Sequence, residues 1–175
     1  MASERYAGRW VSPSREPMDN ADGSTAYLVR DFTLTRDRWT LELSTYGDNT
    51  SEQSKLFTAK VEGPYAVTGA SSKVPGADEV EFGFERIHFT PHADFFIGML
   101  NGAGAGRGNW KVHEAQDVSA TGALFFAPTS KYSREYDLLK RDGDTLYFGK
   151  RPADNNMGSP DRRPQALAPP LARRS

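Results

Sequence analysis

Apolar and polar residues alternate over most of the chain, which predicts strands rather than helices. In residues 26–35, one face carries Leu28, Arg30, Phe32 and Leu34. Residues 39–46 alternate in the same way, and a polar turn lies between the two segments. Together they predict an antiparallel hairpin.

The period of two continues through the middle of the chain. Residues 55–62 and 65–68 predict strands around Gly63-Pro64, and residues 73–78 predict a turn. In the strand that follows, one face carries Val80, Phe82, Phe84, Arg86 and His88. A further hairpin is predicted between residues 135–140 and 145–150. We expect eight to ten strands in all.

One segment changes to helical spacing. Thr90 and Pro91 predict an N-cap and a first turn, and residues 92–100 predict the helix. Residues 102–108 contain four glycines and predict a loop. The helix and loop form either a lid over the barrel or an ordinary surface segment. Short strands are predicted at 110–113 and 122–127.

Many short strands, one helix and no β-α-β rhythm predict an all-β fold, an antiparallel barrel or half-barrel with an internal cavity. Prolines and polar residues fill the C-terminal part of the chain. We therefore expect a barrel domain over residues 1–152 and a proline-rich tail over residues 153–175.

Composition narrows the function classes. The chain has 175 residues, a net charge of −1 and no cysteine. It shows no basic face for nucleic acid, no apolar run that spans a bilayer and no signal peptide, and thiol chemistry is excluded. We expect a cytoplasmic protein, without nucleic-acid partners, whose oligomeric state is open and includes a dimer.

Several stretches in order resemble the domain of the adenomatosis polyposis coli down-regulated (Wnt-inhibitor) family. They spread over residues 8–165 and include the sequences around Gly8-Arg9-Trp10, Tyr27-Leu28-Val29-Arg30, Phe89-Thr90-Pro91-His92, Gly108-Asn109-Trp110 and Leu146-Tyr147-Phe148-Gly149. The resemblance implies a lipocalin-like, calycin-type barrel that holds a lipid or another hydrophobic ligand.

The chain departs from the secreted animal members. Positions near Arg15, Asn49 and Ala123 lack the cysteines those members tend to carry, and one domain stands in place of two. The chain therefore resembles a bacterial-type, intracellular relative, and Wnt antagonism is not carried over. The calycin resemblance also implies that Arg151 packs over Trp10 and seals one end of the barrel.

Charge on an apolar face marks the candidate chemistry. Arg30, Arg86 and His88 are predicted to face inward, where an unpaired charge costs several kcal/mol. Either they bind a carboxylate or enolate, with His88 as general acid or base, or they form ion pairs with Glu16, Asp31, Asp48 or Asp117. The phenols of Tyr46 and Tyr136 are candidates to orient a substrate.

Aromatic residues on the same predicted faces would line the cavity. The candidate ligand-binding residues are Phe32, Phe82, Phe84, Phe95, Phe96, Met99, Trp110 and His113. No cofactor motif is present. A metal site formed by His88, His92 and His113 is a weaker alternative, because His88 and His92 fall on different elements.

Two functions follow from this interpretation. The first is an intracellular carrier or sensor that binds a hydrophobic or amphipathic small molecule in the barrel. The second is a cofactor-independent cyclase, isomerase or hydratase (a lyase) that acts on a hydrophobic biosynthetic intermediate in the same cavity. A protein-interaction module is a third reading of the same domain.

Overall fold

The computed structural model describes residues 2–175, and within them antiparallel sheet predominates. This part of the chain forms eleven strands and one α-helix. The strands are β1 (Gly8–Val11), β2 (Glu16–Asp19), β3 (Thr25–Leu34), β4 (Arg38–Tyr46), β5 (Lys55–Ala70), β6 (Asp78–Gly83), β7 (Arg86–Pro91), β8 (Gln116–Asp117), β9 (Arg134–Asp142), β10 (Thr145–Phe148) and β11 (Leu171–Arg174). The helix is α1 (Phe95–Gly102), and short 3₁₀ helices cover Ala2–Tyr6, Glu52–Ser54 and Pro160–Arg162.

Eight of the strands close into a barrel. The order around the ring is β3, β1, β11, β10, β9, β6, β5 and β4, and β4 pairs with β3 to complete it. Every pairing in the ring is antiparallel. Closure leaves no unpaired edge within the ring. The predicted antiparallel barrel is confirmed.

The C-terminal segment completes the barrel instead of trailing from it. β11 pairs with β1 on one side and with β10 on the other. Leu171 is fully buried, and the backbone nitrogen of Ala168 donates to the oxygen of Phe148 at 2.9 Å. The prediction of a tail over residues 153–175 is therefore wrong for the residues of β11. The prolines before this strand interrupt regular strand pairing, but they do not separate the segment from the barrel.

The 3₁₀ helix Ala2–Tyr6 closes one end of the barrel. Tyr6 and Trp10 are fully buried there, and the indole nitrogen of Trp10 donates to the oxygen of Tyr6 at 2.9 Å. The guanidinium carbons of Arg141 and Arg173 lie 5.4 and 5.7 Å from the centre of the Trp10 ring. An arginine cover of Trp10 is therefore present, but the expectation that Arg151 supplies it is wrong, because Arg151 pairs with Glu135 instead.

Aromatic rings fill the middle of the barrel. Phe148 stacks on Phe32 with ring centres 4.1 Å apart and contacts Phe82 at 5.9 Å. Phe82 also contacts Trp39 at 5.2 Å and Tyr65 at 5.6 Å. These four contacts join the five rings into one packed group, which we call the aromatic layer, so protein side chains fill the middle of the barrel.

A β-bulge changes which residues of β7 face inward. On β5, Tyr65 pairs with Phe82 of β6, and Glu62 pairs with Arg86 of β7. Two residues of β5, 63 and 64, therefore lie opposite three residues, 83–85, at the junction of β6 and β7. The extra residue reverses the alternation. Ile87 is buried on β7, and Arg86 is exposed.

The helix begins later than predicted. Thr90 and Pro91 end β7, and Asp94 occupies the N-cap of α1 without a side-chain cap. Phe96 of α1 packs edge-on against Phe57 and Phe89, at 5.6 and 6.2 Å. Residues 110–113 form no strand, and residues 122–127 form only an isolated bridge.

Candidate functional site

The inward faces of β3 and β4 carry the candidate binding surface. Arg30 lies between Leu28 and Phe32 on β3 and pairs directly with Leu43 of β4, and Leu41 pairs with Phe32. Strand alternation places these side chains on the same face. Leu28, Leu41 and Leu43 nevertheless remain partly exposed. We call this surface, formed by Leu28, Arg30, Leu41 and Leu43, the leucine–arginine surface.

An ion pair holds Arg30. Its Nε and Nη2 donate to the two carboxylate oxygens of Glu16 at 2.8 and 2.7 Å. Nη2 also donates to the oxygen of Pro169 at 2.9 Å, and Ser12 Oγ donates to Glu16 Oε2 at 2.8 Å. Both charged side chains are less than one-fifth exposed. Of the two alternatives for Arg30, the internal ion pair is the one observed, and Glu16 is its partner.

A second polar group lies on the inward face of β9. Glu135 pairs with Phe82, and Asp137 with Val80, which places both carboxylates on the core side of the strand. Arg151 forms an ion pair with Glu135, whose side chain is only 10% exposed. Tyr132 donates its hydroxyl to Glu135 Oε1 at 3.1 Å. We call Tyr132, Glu135, Asp137 and Arg151 the acid cluster.

Burial strongly affects ionisation in the acid cluster. Burial raises the pKa of Asp137 to about 7, and the charge of Glu135 adds to this effect. Two backbone nitrogens, of Leu138 at 2.7 Å and Gly149 at 3.0 Å, donate to Asp137 Oδ1 and act in the opposite direction. Burial also raises the pKa of Tyr132 to about 12. Burial thus favours the neutral form of Asp137 far more than that of an ordinary aspartate.

The structure places Arg86 and His88 on the outside of the barrel. Arg86 Nε lies 2.9 Å from Glu62 Oε1. His88 Nε2 lies 4.0 Å from Asp117 Oδ2, and both side chains are at least 40% exposed. The prediction that they share an inward face with Arg30 is wrong, because of the bulge between β6 and β7.

The two candidate tyrosines are also separate from Arg30. Tyr46 is buried beneath Arg15, whose guanidinium carbon lies 3.6 Å from the ring centre. Tyr136 is half-buried, and its ring contacts Arg163 at 5.5 Å. Both phenol rings therefore pack against arginines of other segments.

The predicted lining residues fall into three groups. Phe32 and Phe82 belong to the central aromatic layer, and Phe84 lies beside it, partly exposed. Phe96 and Trp110 are buried against Phe89. The remaining three side chains are exposed on the outer surface: Phe95, Met99 and His113.

The three histidines do not assemble. His92 Nδ1 lies 2.9 Å from His113 Nδ1, whereas His88 pairs with Asp117 elsewhere on the surface. Among residues 2–175, no group of three or more His, Cys, Asp or Glu side chains is placed to hold a metal ion. The three-histidine site is therefore not formed.

Two surface depressions lie at the closed end, outside the barrel. Each has a volume of about 300 Å³. Arg5 contributes to both, with Val67 and Asp78 in one and Arg141 in the other. They are open to solvent and lie away from the leucine–arginine surface.

No protein-family model matches the chain. In the part of the chain that the structure describes, no helix is both long and apolar enough to cross a bilayer.

Proposed function

We propose that the protein binds a hydrophobic or amphipathic small molecule on the leucine–arginine surface. One observation carries the proposal: Leu28, Leu41 and Leu43 face into a closed barrel and are still partly exposed. A ligand that covers them gains roughly 25 cal/mol for each Å² of apolar area removed from water. The aromatic layer below would form the floor of the site.

Arg30 provides the polar group of the leucine–arginine surface. It is directly paired with Leu43, and Glu16 already compensates its charge. Ligand sites combine apolar walls with a few fixed polar groups that set orientation. An amphipathic ligand would place its alkyl part on the leucines and its polar group beside the Arg30–Glu16 pair.

We also propose that the chain is a relative of the adenomatosis polyposis coli down-regulated domain family. The closed eight-stranded barrel supports this assignment. The absence of cysteine is compatible with a cytoplasmic carrier or sensor.

A dansyl-labelled undecanoic acid tests the binding proposal. We expect one saturable site, with a blue shift of the dansyl emission as the probe leaves water. Leu43→Gln should weaken binding about tenfold or more, because burying one leucine side chain contributes about 1.5–3 kcal/mol. Fluorescence titration with the wild-type protein and the variant measures both.

Glu42→Gln is the matched control. Residue 42 neighbours Leu43 but is exposed on the opposite face of β4, so this variant should bind the probe as the wild type does. Equal binding by Leu43→Gln and the wild type would contradict the proposal. So would the absence of saturable binding in the wild type.

The acid cluster favours a second candidate function, a cofactor-independent enzyme. Asp137 is buried on the inward face of β9 with a pKa near 7, which suits a general base. Incubating a metabolite extract from the source cells in D₂O tests this. Wild-type protein should introduce deuterium into a specific metabolite, detected by mass spectrometry, and Asp137→Asn should not. Equal labelling with both proteins would exclude a role for Asp137.

A further inference from the structure

Two histidine rings face each other on the outside of the barrel. His92 directly follows β7, and His113 lies in the loop between α1 and β8. Their Nδ1 atoms are 2.9 Å apart. Neither residue belongs to the leucine–arginine surface or the acid cluster. We call them the histidine pair.

The spacing of the histidine pair fits one class of metal ion. Imidazole nitrogens lie about 2.0–2.1 Å from a bound transition metal. Two nitrogens 2.9 Å apart then subtend an angle of about 90° at the ion, whereas a tetrahedral ion needs about 3.3 Å. An angle of about 90° is the cis angle of tetragonal Cu(II) and Ni(II) sites.

We propose that the histidine pair is a two-point binding site for a tetragonal divalent metal ion, Cu(II) or Ni(II). The two Nδ1 atoms now point at each other as in a hydrogen bond, with ring centres 5.1 Å apart, so each ring would turn by roughly 45° to direct its lone pair at the ion. The remaining coordination positions would hold water or a small ligand. His113 is exposed, which leaves those positions open to solvent.

The surrounding contacts orient the His92 ring. His92 Nε2 lies 3.0 Å from the hydroxyl of Thr58, on the adjacent strand β5. A hydrogen bond at the second ring nitrogen is the usual means of fixing a metal-binding imidazole and its tautomer. Thr58 would therefore be a positioning residue for Nδ1 of His92.

The backbone also holds His113 in an uncommon conformation. Its backbone φ is +67°, in the left-handed region that residues other than glycine adopt infrequently. The backbone N–H of His113 donates to the backbone oxygen of Pro91 at 2.7 Å, which holds His113 next to the residue that precedes His92. Such conformations cost about 1–3 kcal/mol and cluster at functional sites. The loop thus presents the second ring to the first.

Cu(II) titration of the full chain, in the presence of glycine as a weak competitor, tests the proposal. We expect one equivalent of Cu(II) to bind. A separate sample without glycine should give an electron paramagnetic resonance spectrum of tetragonal symmetry with coupling to two imidazole nitrogens. His92→Gln and His113→Asn should each lower the affinity about tenfold or more. Asparagine is chosen at position 113 because it tolerates a positive φ.

Two further variants make the test specific. His88→Ala removes the one histidine outside the pair and should leave Cu(II) binding unchanged. Thr58→Val keeps the side-chain shape but removes the contact to His92 Nε2, and should weaken binding by about tenfold. Circular dichroism would confirm that each variant is folded.

Three results would overturn the proposal. The wild type could bind no more Cu(II) than a protein carrying both His92→Gln and His113→Asn, which would make the pair a hydrogen bond only. The spectrum could show coupling to a single nitrogen. Finally, His88→Ala could reduce binding as much as the variants of the pair do.

Discussion

Alanine at position 63 is expected to destabilise the protein by about 3 kcal/mol, because the added methyl group has no room. Gly63 lies on β5 opposite the bulge. A Cβ built on it would lie 2.8 Å from the carbonyl carbon of Gly83 and closer still to its oxygen. That oxygen also accepts a hydrogen bond from the Trp39 indole at 2.8 Å. The methyl group would displace the bulge and break this contact.

Urea denaturation followed by tryptophan fluorescence measures the loss. Gly69→Ala is the matched control, since Gly69 lies on the same strand and a Cβ there would have nothing within 4 Å. We expect the control to change the free energy of unfolding by less than about 0.5 kcal/mol. Equal midpoints for the two variants would show that the close approach at Gly63 is not a constraint.

The same bulge marks where prediction from sequence stopped. The face containing Val80 and Phe82 was identified correctly, but its extension to Arg86 and His88 was not. An inserted residue reverses every later side chain, and nothing local distinguishes a bulge from regular alternation. Gly63 and Gly83 are the residues of the sequence that relate to the bulge. Their close approach could not be predicted, because it exists only after β5 has paired with β6 and β7.

The barrel itself was predictable, because period-two patterns and turn residues are local properties. The closing strand β11 was not. Leu171–Arg174 is a short segment after several prolines, and only its partners on β1 and β10 make it a strand. The predicted start of the helix was wrong for the same reason, namely that a distant strand decides the local structure. Thr90 and Pro91 are typical of a helix N-terminus, but pairing with β5 keeps them extended.

The candidate site was recovered in part. Arg30 and its partner Glu16 were both named from the sequence. The acid cluster was missed, although the predicted strand 135–140 placed Glu135 and Asp137 on alternate positions of one face. That pattern was a usable signal, since acids on a core face must be paired or change their pKa. Arg151 could not be assigned to Glu135, because the pairing joins two segments that only the fold brings together.

Asp137 is expected to make the protein less stable as the pH rises from 5 to 7.5. Its pKa is about 7 in the folded protein, whereas an unfolded aspartate titrates near its ordinary value of about 3.9. Between these values the folded state binds more protons than the unfolded state, so stability falls as pH increases. One pKa unit corresponds to about 1.4 kcal/mol, so the expected loss over this interval is about 2.5 kcal/mol.

Asp137→Asn should remove this slope, because the amide does not ionise yet its oxygen can still accept from the nitrogens of Leu138 and Gly149. His92 acts in the opposite direction: burial and the charge of His113 lower its pKa, so its contribution is lost as pH falls below about 6.5. Subtracting the variant's pH profile from that of the wild type cancels the histidine effect.

Urea denaturation at intervals between pH 5 and 7.5 measures the two profiles. Asp142→Asn, at the exposed end of the same strand, should keep the wild-type slope. Carboxylates whose folded pKa is lowered, such as Asp48 and Asp117, lose their contributions only below about pH 4, outside this interval. A wild-type slope that persists in Asp137→Asn would mean that Asp137 is ionised when folded. The acid cluster would then hold two negative charges against Arg151 and could not supply a base that titrates near neutral pH.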